Sequence, residues 1–203
     1  MSSRQILISG LFLCIFAVIG TTFVAVTEES TREKIAENER RVLLRNLYAL
    51  LPPAKLDNDI ATDTLTVPAS VLLGTKSPSL VYRARLQGEP VALIFNSIAP
   101  NGYSGRIHLL VGIYLDGSMA GVRVVKHAET PGLGDAIETQ KSDWILDFDK
   151  RSLADSRPGA WKVKRDGGVF DQFTGATITP RAVVEAVKNT LLYYQQNAKT
   201  LYD

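Results

Sequence analysis

Cysteine is almost missing from this chain: there is one in 203 residues, Cys14, and it lies inside an apolar run. A lone thiol there cannot staple the rest of the chain, so any domain outside the run must be held by its own core. Histidine is nearly as scarce, His108 and His127 being the only two. No Cys/His group has the spacing of zinc, haem or iron–sulfur ligation, so iron–sulfur centres, if used, belong to other proteins. An excess of one charge is missing too. The 23 Lys and Arg stand against 21 Asp and Glu, a net of +2, and no basic block or arginine-rich tail interrupts the balance. That leaves no nucleic-acid footprint, and no nucleic-acid partner is expected. A strand–GxGxxG–helix unit is absent, which argues against direct nicotinamide binding, and the loop 100–106 lacks the Gly-Lys-Ser/Thr ending of a P-loop.

What the chain does have, first, is an apolar run of membrane length at residues 6–26. Arg4 and the terminal amine precede it and Glu28 and Glu29 follow, which favours an anchor with residues 1–5 in the cytoplasm, although Arg32 and Lys34 come soon after. A cleaved signal peptide would have a shorter apolar core and a clearer small-residue pattern than residues 21–27 offer, and Cys14 lacks the small residue expected before a lipoprotein cysteine. Either way, everything after the run is expected outside the cytoplasm. Residues 27–63 read as a helical stalk and linker. Ile35, Val42, Leu43, Leu47 and Leu50 or Leu51 form an apolar face, Glu28 and Glu29 favour a start, and Pro52-Pro53 stops the helix, which is either a continuation of the anchor or the first packed helix of a domain.

Residues 64–203 are long enough for one compact domain. Strand patterns occur at 65–73, 80–86, 90–98, 107–115 and 119–125, the last two flanking Asp116-Gly117-Ser118, a hairpin signal. Residues 143–148 suit a short strand or a helical turn, and Trp161 and Val163 suggest a last strand. Ala182, Val183, Ala186, Val187, Thr190, Leu191 and Tyr194 recur at helical steps, which predicts an amphipathic helix from Pro180 to about Gln196, with Thr179 as cap and Pro180 at its first position. The fold class expected is α+β: a single N-terminal transmembrane helix, then an extracytoplasmic, mostly antiparallel sheet with flanking helices.

Capping leaves unexplained the residues just upstream, Asp171, Thr174, Gly175, Ala176 and Thr177. A Gly-Ala pair permits a tight turn and close approach, and hydroxyls beside a helix N-terminus suit either a structural turn or a phosphate-bearing group. A second unusual segment is His127-Ala128-Glu129-Thr130-Pro131-Gly132-Leu133-Gly134, a strand end running into a turn made rigid by proline and permissive by glycine. His127 alone reads as a surface or hydrogen-bonded residue. Trp144 is either packing or a flavin-stacking ring, and Phe170 and Phe173 either anchor the turn or wall a pocket.

Together these two segments resemble the FMN-binding domain of the G subunit of Rnf/Rsx-type ion-translocating electron transport complexes, a family similar also to the C subunit of sodium-translocating NADH:quinone reductases. The compact length favours the Rnf-type G subunit. The resemblance implies FMN joined through its phosphate to the Thr after Gly-Ala, here Thr177, by a flavin transferase, with Asp171, Thr174, Gly175 and Ala176 completing the motif. It also implies a flavin pocket lined by Glu129, Thr130, Gly132, Leu133 and Gly134, with Gly102, Tyr103 and Gly105 approaching it. The implied function is relay of electrons within a ferredoxin- and NAD-linked, ion-translocating complex of the bacterial inner membrane. The domain would be periplasmic, and other membrane and redox subunits would be its partners. A step in electron transfer, rather than a complete reaction, is what such a subunit contributes. A flavin-free structural adaptor and a flavoenzyme with its own small substrate are the competing classes; for the latter, no convincing acid, base or substrate cluster is seen.

Overall fold

The computed structural model describes residues 3–154 and 159–202, apart from the side chain of Ile6. Met1 and Ser2 of the expected cytoplasmic segment 1–5, and Asp203, lie outside the described residues. The chain divides into two units, Met1–Leu43 and Leu44–Asp203.

The first unit is helical. Helix α1 runs Ser3–Leu50 without interruption, so Glu28 and Glu29 sit mid-helix and start nothing. Its most apolar stretch has a mean hydropathy of 2.4, and none of it is buried against protein. Leu7, Leu11, Leu13, Phe16 and Phe23 are exposed on all sides, the distribution of a helix whose solvent is hydrocarbon. The hydroxyls of Thr21 and Thr27 donate to the carbonyls of Ala17 and Phe23, each at 2.8 Å, so they carry their own partners into an apolar surrounding.

The second unit begins with the last turns of α1, where Leu47, Leu50 and Leu51 are buried. Pro52 and Pro53 end the helix, as their missing amides require. The sheet follows as a meander in the order β1 (Thr64–Val67), β2 (Ser79–Leu86), β3 (Glu89–Gly102), β4 (Gly105–Tyr114) and β5 (Met119–Lys126), every pair antiparallel. The fold is therefore α+β, an apolar N-terminal helix followed by an antiparallel sheet and a C-terminal helix, α2 (Ile178–Leu201).

Both faces of the sheet are covered. On one, Leu93, Phe95, Leu109, Val111 and Val122 pack with Val183, Val187 and Leu191 of α2. Phe95 meets Tyr193 and Tyr194 edge-on, with centroids 6.1 and 6.4 Å apart, and the buried Thr190 hydroxyl donates to Ser97 Oγ at 2.8 Å. The other face takes the end of α1 over two paired glycines, Gly112 and Gly121. A Cβ on Gly121 would lie 2.6 Å from Asp149 Oδ1 and 3.2 Å from Leu50 Cδ2, so the close approach needs glycine. Arg123 Nη2 donates to the Ala49 carbonyl at 2.8 Å, placing a positive group where the carbonyls at a helix end lack partners.

Several elements differ from the sequence reading. The strand expected over 65–73 stops at Val67, because Pro68 removes an amide and the chain turns back at Ser70, whose carbonyl accepts from Leu73 and Thr75. Residues 100–106 are not a loop: β3 and β4 continue through it and only Tyr103 and Ser104 turn. Residues Trp144–Phe148 form a 3-10 helix, and Trp161 and Val163 form no strand, only a single bridge from Val163 to Phe170. Helix α2 starts two residues earlier and extends farther than expected.

The polar linker is pinned by charge. Asp63 accepts from Arg83 Nε at 2.7 Å and Arg85 Nε at 2.9 Å. Burial works to raise its carboxyl, but the bonds and charges of the two arginines outweigh that and hold it below the ordinary aspartate range. A lowered folded-state pKa stabilises above the unfolded value and is lost as pH falls through the folded one. The urea midpoint of Asp63→Asn is accordingly expected below wild type near neutral pH, with the two converging below about pH 4. A gap that persists undiminished in acid would rule out this ion pair as its source.

Candidate functional site

Three stretches far apart in sequence meet at one end of the sheet: the β3–β4 hairpin tip, the turn after β5, and the turn leading into α2. Between them lies a pocket of about 280 Å³ lined by Tyr103, Glu129, Thr130, Leu133, Gly134, Gly175, Ala176, Thr177, Ile178 and Thr179.

Glu129 holds the three together. It is 4% exposed; one carboxylate oxygen accepts from the Ser104 amide at 2.9 Å and the other from the Thr179 hydroxyl. Room for the carboxylate comes from missing side chains. A Cβ on Gly102 would stand 2.9 Å from Glu129 Oε1, and one on Gly134 would stand 3.0 Å from Oε2 and 3.0 Å from Thr179 Oγ1. His127 fixes the strand end: its Nδ1 accepts the Glu129 amide at 3.0 Å, which leaves Nε2 to donate to Glu138 at 2.7 Å. The Thr130 carbonyl then gathers the amides of Leu133 and Gly134, and Gly132, at φ +75°, makes the turn that lets it do so.

Thr177 sits immediately before α2, half-buried, with Gly175 at φ +78° two residues earlier. Its carbonyl accepts from Arg181, but its hydroxyl makes no capping bond. Thr179, expected as the cap, is instead inside the helix and fully buried, its hydroxyl taken by Glu129; the backbone becomes helical two residues sooner than the Thr-Pro pair suggested. The first amides of α2 lack partners within the helix, as they do at any helix start, and this gives the Thr177 side of the pocket its partial positive charge.

The other residues singled out in the sequence lie around this pocket rather than in its wall. Asp171 is exposed and paired with Lys164 at 2.6 Å, while its carbonyl accepts Trp144 Nε1 at 2.8 Å. Thr174 is exposed on the same turn. Gly132 shapes the 130–134 turn, Gly102 backs the Glu129 carboxylate, and Gly105 opens β4 at φ +123°. Trp144 is a packing residue, buried edge-on to Phe148 and Phe173 at 5.5 and 5.1 Å. Phe170 is buried in a stack with Phe148 at 4.5 Å, so it anchors the turn from below. Ile178 and Thr179 complete the pocket; their register on the first turn of α2 is hidden in a sequence whose Thr-Pro pair points to a helix start at Pro180.

The residues present suit a flavin nucleotide. A pocket of this size encloses only part of such a molecule. Around it Tyr103, Leu133 and Ile178 are 68%, 45% and 46% exposed, an apolar rim that a planar ring system would cover. Both Glu129 oxygens are spent on inward bonds, which leaves the Thr177 hydroxyl and the helix start to meet a phosphate.

Fold and site thus define a small α+β flavin-nucleotide domain behind an N-terminal apolar helix. The FMN-binding domain family model matches residues 102–192, and the model of the RnfG N-terminal region matches residues 1–50. Proteins named as the G subunit of an ion-translocating oxidoreductase complex align almost end to end. That of Pseudoalteromonas atlantica is 49% identical over 194 residues, covering 96% of this chain and 90% of its own. That of Pseudomonas aeruginosa is 48% identical over 198 residues, covering 98% and 92%, and that of Vibrio cholerae is 44% identical over 195 residues, covering 96% and 93%. The chain belongs to this family of G subunits.

Removing either partner of the buried bond should loosen the site. Thr179→Val is expected to cost about 2 kcal/mol and Glu129→Ala more, since a buried polar group loses its partner in each. The double variant should cost less than the sum. Urea unfolding followed by tryptophan fluorescence measures all three, and strict additivity would show that the two side chains are not coupled.

Proposed function

We propose that this chain is a membrane-anchored flavoprotein subunit that relays electrons through FMN joined by its phosphate to Thr177 Oγ1. The observation that carries the reading is the Thr177 hydroxyl: it stands at a pocket wall beside a helix start and is not spent on capping. Attachment replaces the hydroxyl proton by a bond to phosphorus, with the helix amides facing the remaining charge. A flavin transferase would have to supply the flavin with an activated phosphoryl group. Electron acceptance and release would be the contribution of the bound flavin.

The protein's part is to hold and aim. Gly175 gives the backbone a left-handed turn, which sets the threonine outward. The Glu129–Thr179 bond fixes the start of α2 against the hairpin tip. Tyr103, Leu133 and Ile178 offer apolar surface on which one edge of a ring system can rest while the other stays accessible. That openness suits a carrier that must exchange electrons with other proteins; in this reading these are the other membrane and redox subunits of an ion-translocating, ferredoxin- and NAD-linked complex. The names of the similar proteins support such an assembly.

The localisation we infer is the bacterial inner membrane, with the N-terminus cytoplasmic and the C-terminal domain periplasmic, supported by Arg4 ahead of the apolar stretch and Glu28 and Glu29 behind it. Alkaline phosphatase fused after Asp203 is expected to be active in cells; an inactive fusion beside a fluorescent cytoplasmic reporter at the same position would reverse the orientation.

Coexpression with a flavin transferase, followed by denaturation, intact mass and in-gel flavin fluorescence, tests the attachment. Wild type should carry one FMN, Thr177→Ser should retain it, and Thr177→Ala should lose covalent flavin entirely while remaining folded. Flavin still covalently bound to Thr177→Ala would refute the assigned residue, and unmodified wild type beside a working positive control would refute the covalent reading.

A further inference from the structure

On the sheet face turned away from α2, beyond the reach of the buried Leu47 and Leu50 cluster, a second groove of about 390 Å³ opens along the β3–β4 hairpin. Its lining contains four basic side chains, Lys76, Arg106, His108 and Lys126, and no Asp or Glu. The sheet brings three of them close together. Arg106 and His108 are two apart on β4, with Ile107 between them buried on the opposite face, and Lys126 on β5 is the direct cross-strand partner of His108. Lys76 enters from the turn before β2.

Like charges set side by side on one sheet face repel, and this costs stability unless something neutralises them. Elsewhere in this unit basic groups are neutralised: Arg83 and Arg85 by Asp63, Lys164 by Asp171, Arg181 by Asp166. No carboxylate pairs with Lys76, Arg106, His108 or Lys126 among the described residues. The groove is also concave, and it is furnished with Ser77 and Asn96 beside the cations. Arginine supplies a planar fork of donors and lysine a point charge, the usual complement of tetrahedral phosphate oxygens.

We propose that this groove is a binding site for a phosphate-bearing anion, separate from the Thr177 pocket. The shared chemistry is a phosphate group with two or more anionic or ester oxygens. It could reach the groove as a free phosphorylated compound or as a lipid headgroup. Nothing in the site requires flavin, so the proposal stands whether or not Thr177 is modified.

The full chain in neutral detergent is titrated by calorimetry with inorganic pyrophosphate and, separately, with glycerophosphoglycerol, the water-soluble headgroup of an anionic lipid. Binding of either probe is expected, weakening as salt rises. In Arg106→Gln/Lys126→Gln it should weaken by about tenfold or more, since two charge-assisted bonds are lost. Both side chains are exposed, so the variant should unfold at the wild-type urea concentration. The control Lys188→Gln/Lys199→Gln removes the same charge from α2 and should bind as wild type does. Preference for pyrophosphate assigns a free phosphate compound, and equal or tighter binding of glycerophosphoglycerol assigns a headgroup; either supports the site. Failure of both probes to bind, an equal loss in the α2 control, or binding of a poly-glutamate peptide in place of both probes would overturn it.

Discussion

One buried carboxylate organises the functional end of this molecule. Glu129 lies at the junction of three chain segments that share no sequence proximity, and its two oxygens join the hairpin tip at Ser104 to the first turn of α2 at Thr179. A carboxylate taken out of water is tolerated only if its oxygens are hydrogen-bonded. That requirement runs outward through the neighbourhood. Gly102 and Gly134 must lack side chains to leave the carboxylate its space, His127 must accept the Glu129 amide to end β5 correctly, and Thr179 must be helical and buried rather than a cap. The pocket is what remains between segments so constrained.

The same logic of omission operates on the far face of the sheet. Gly112 and Gly121 stand opposite each other on β4 and β5, and the end of α1 settles over them with Leu50 in the space their side chains would occupy. Arg123 then reaches back to the Ala49 carbonyl. One sheet is therefore gripped on both faces by helices, through close-packed aromatic and aliphatic contacts on the α2 side and through backbone approach on the other. The aromatic stack of Phe148, Phe170 and Trp161 carries the turn of residues 171–177 on a rigid base. A threonine presented from such a base, beside a helix start, is held in place without itself contributing to the core.

Much of this is legible in the chain alone. The apolar run, the alternation of β2 to β5, the Asp-Gly hairpin and the three- and four-residue steps of α2 are periodic signals, and periodicity reflects local backbone geometry directly. The strand breaks are harder to read. Pro68 ends β1 early, and the Tyr103-Ser104 turn is masked by neighbouring residues of loop-like composition that the ladder nonetheless carries along. Trp144 illustrates the same limit for the site: an aromatic near a cofactor motif has no sequence mark that separates stacking from packing, and its indole bond to the Asp171 carbonyl exists only in three dimensions.

The sequence by itself determined the element types, the membrane-length helix and the two short segments whose composition marks a flavin-nucleotide domain, because these depend on residues within a few positions of one another. Tertiary structure alone decided that Thr179 is a buried partner and leaves the Thr177 hydroxyl unspent, that Glu129 binds inward, and that Arg106, His108 and Lys126 share one face of a groove. Each of those outcomes depends on which strands lie side by side and on where a helix begins to within one residue. Such registers are set by long-range packing, and a one-residue shift sends every side chain to a different surface.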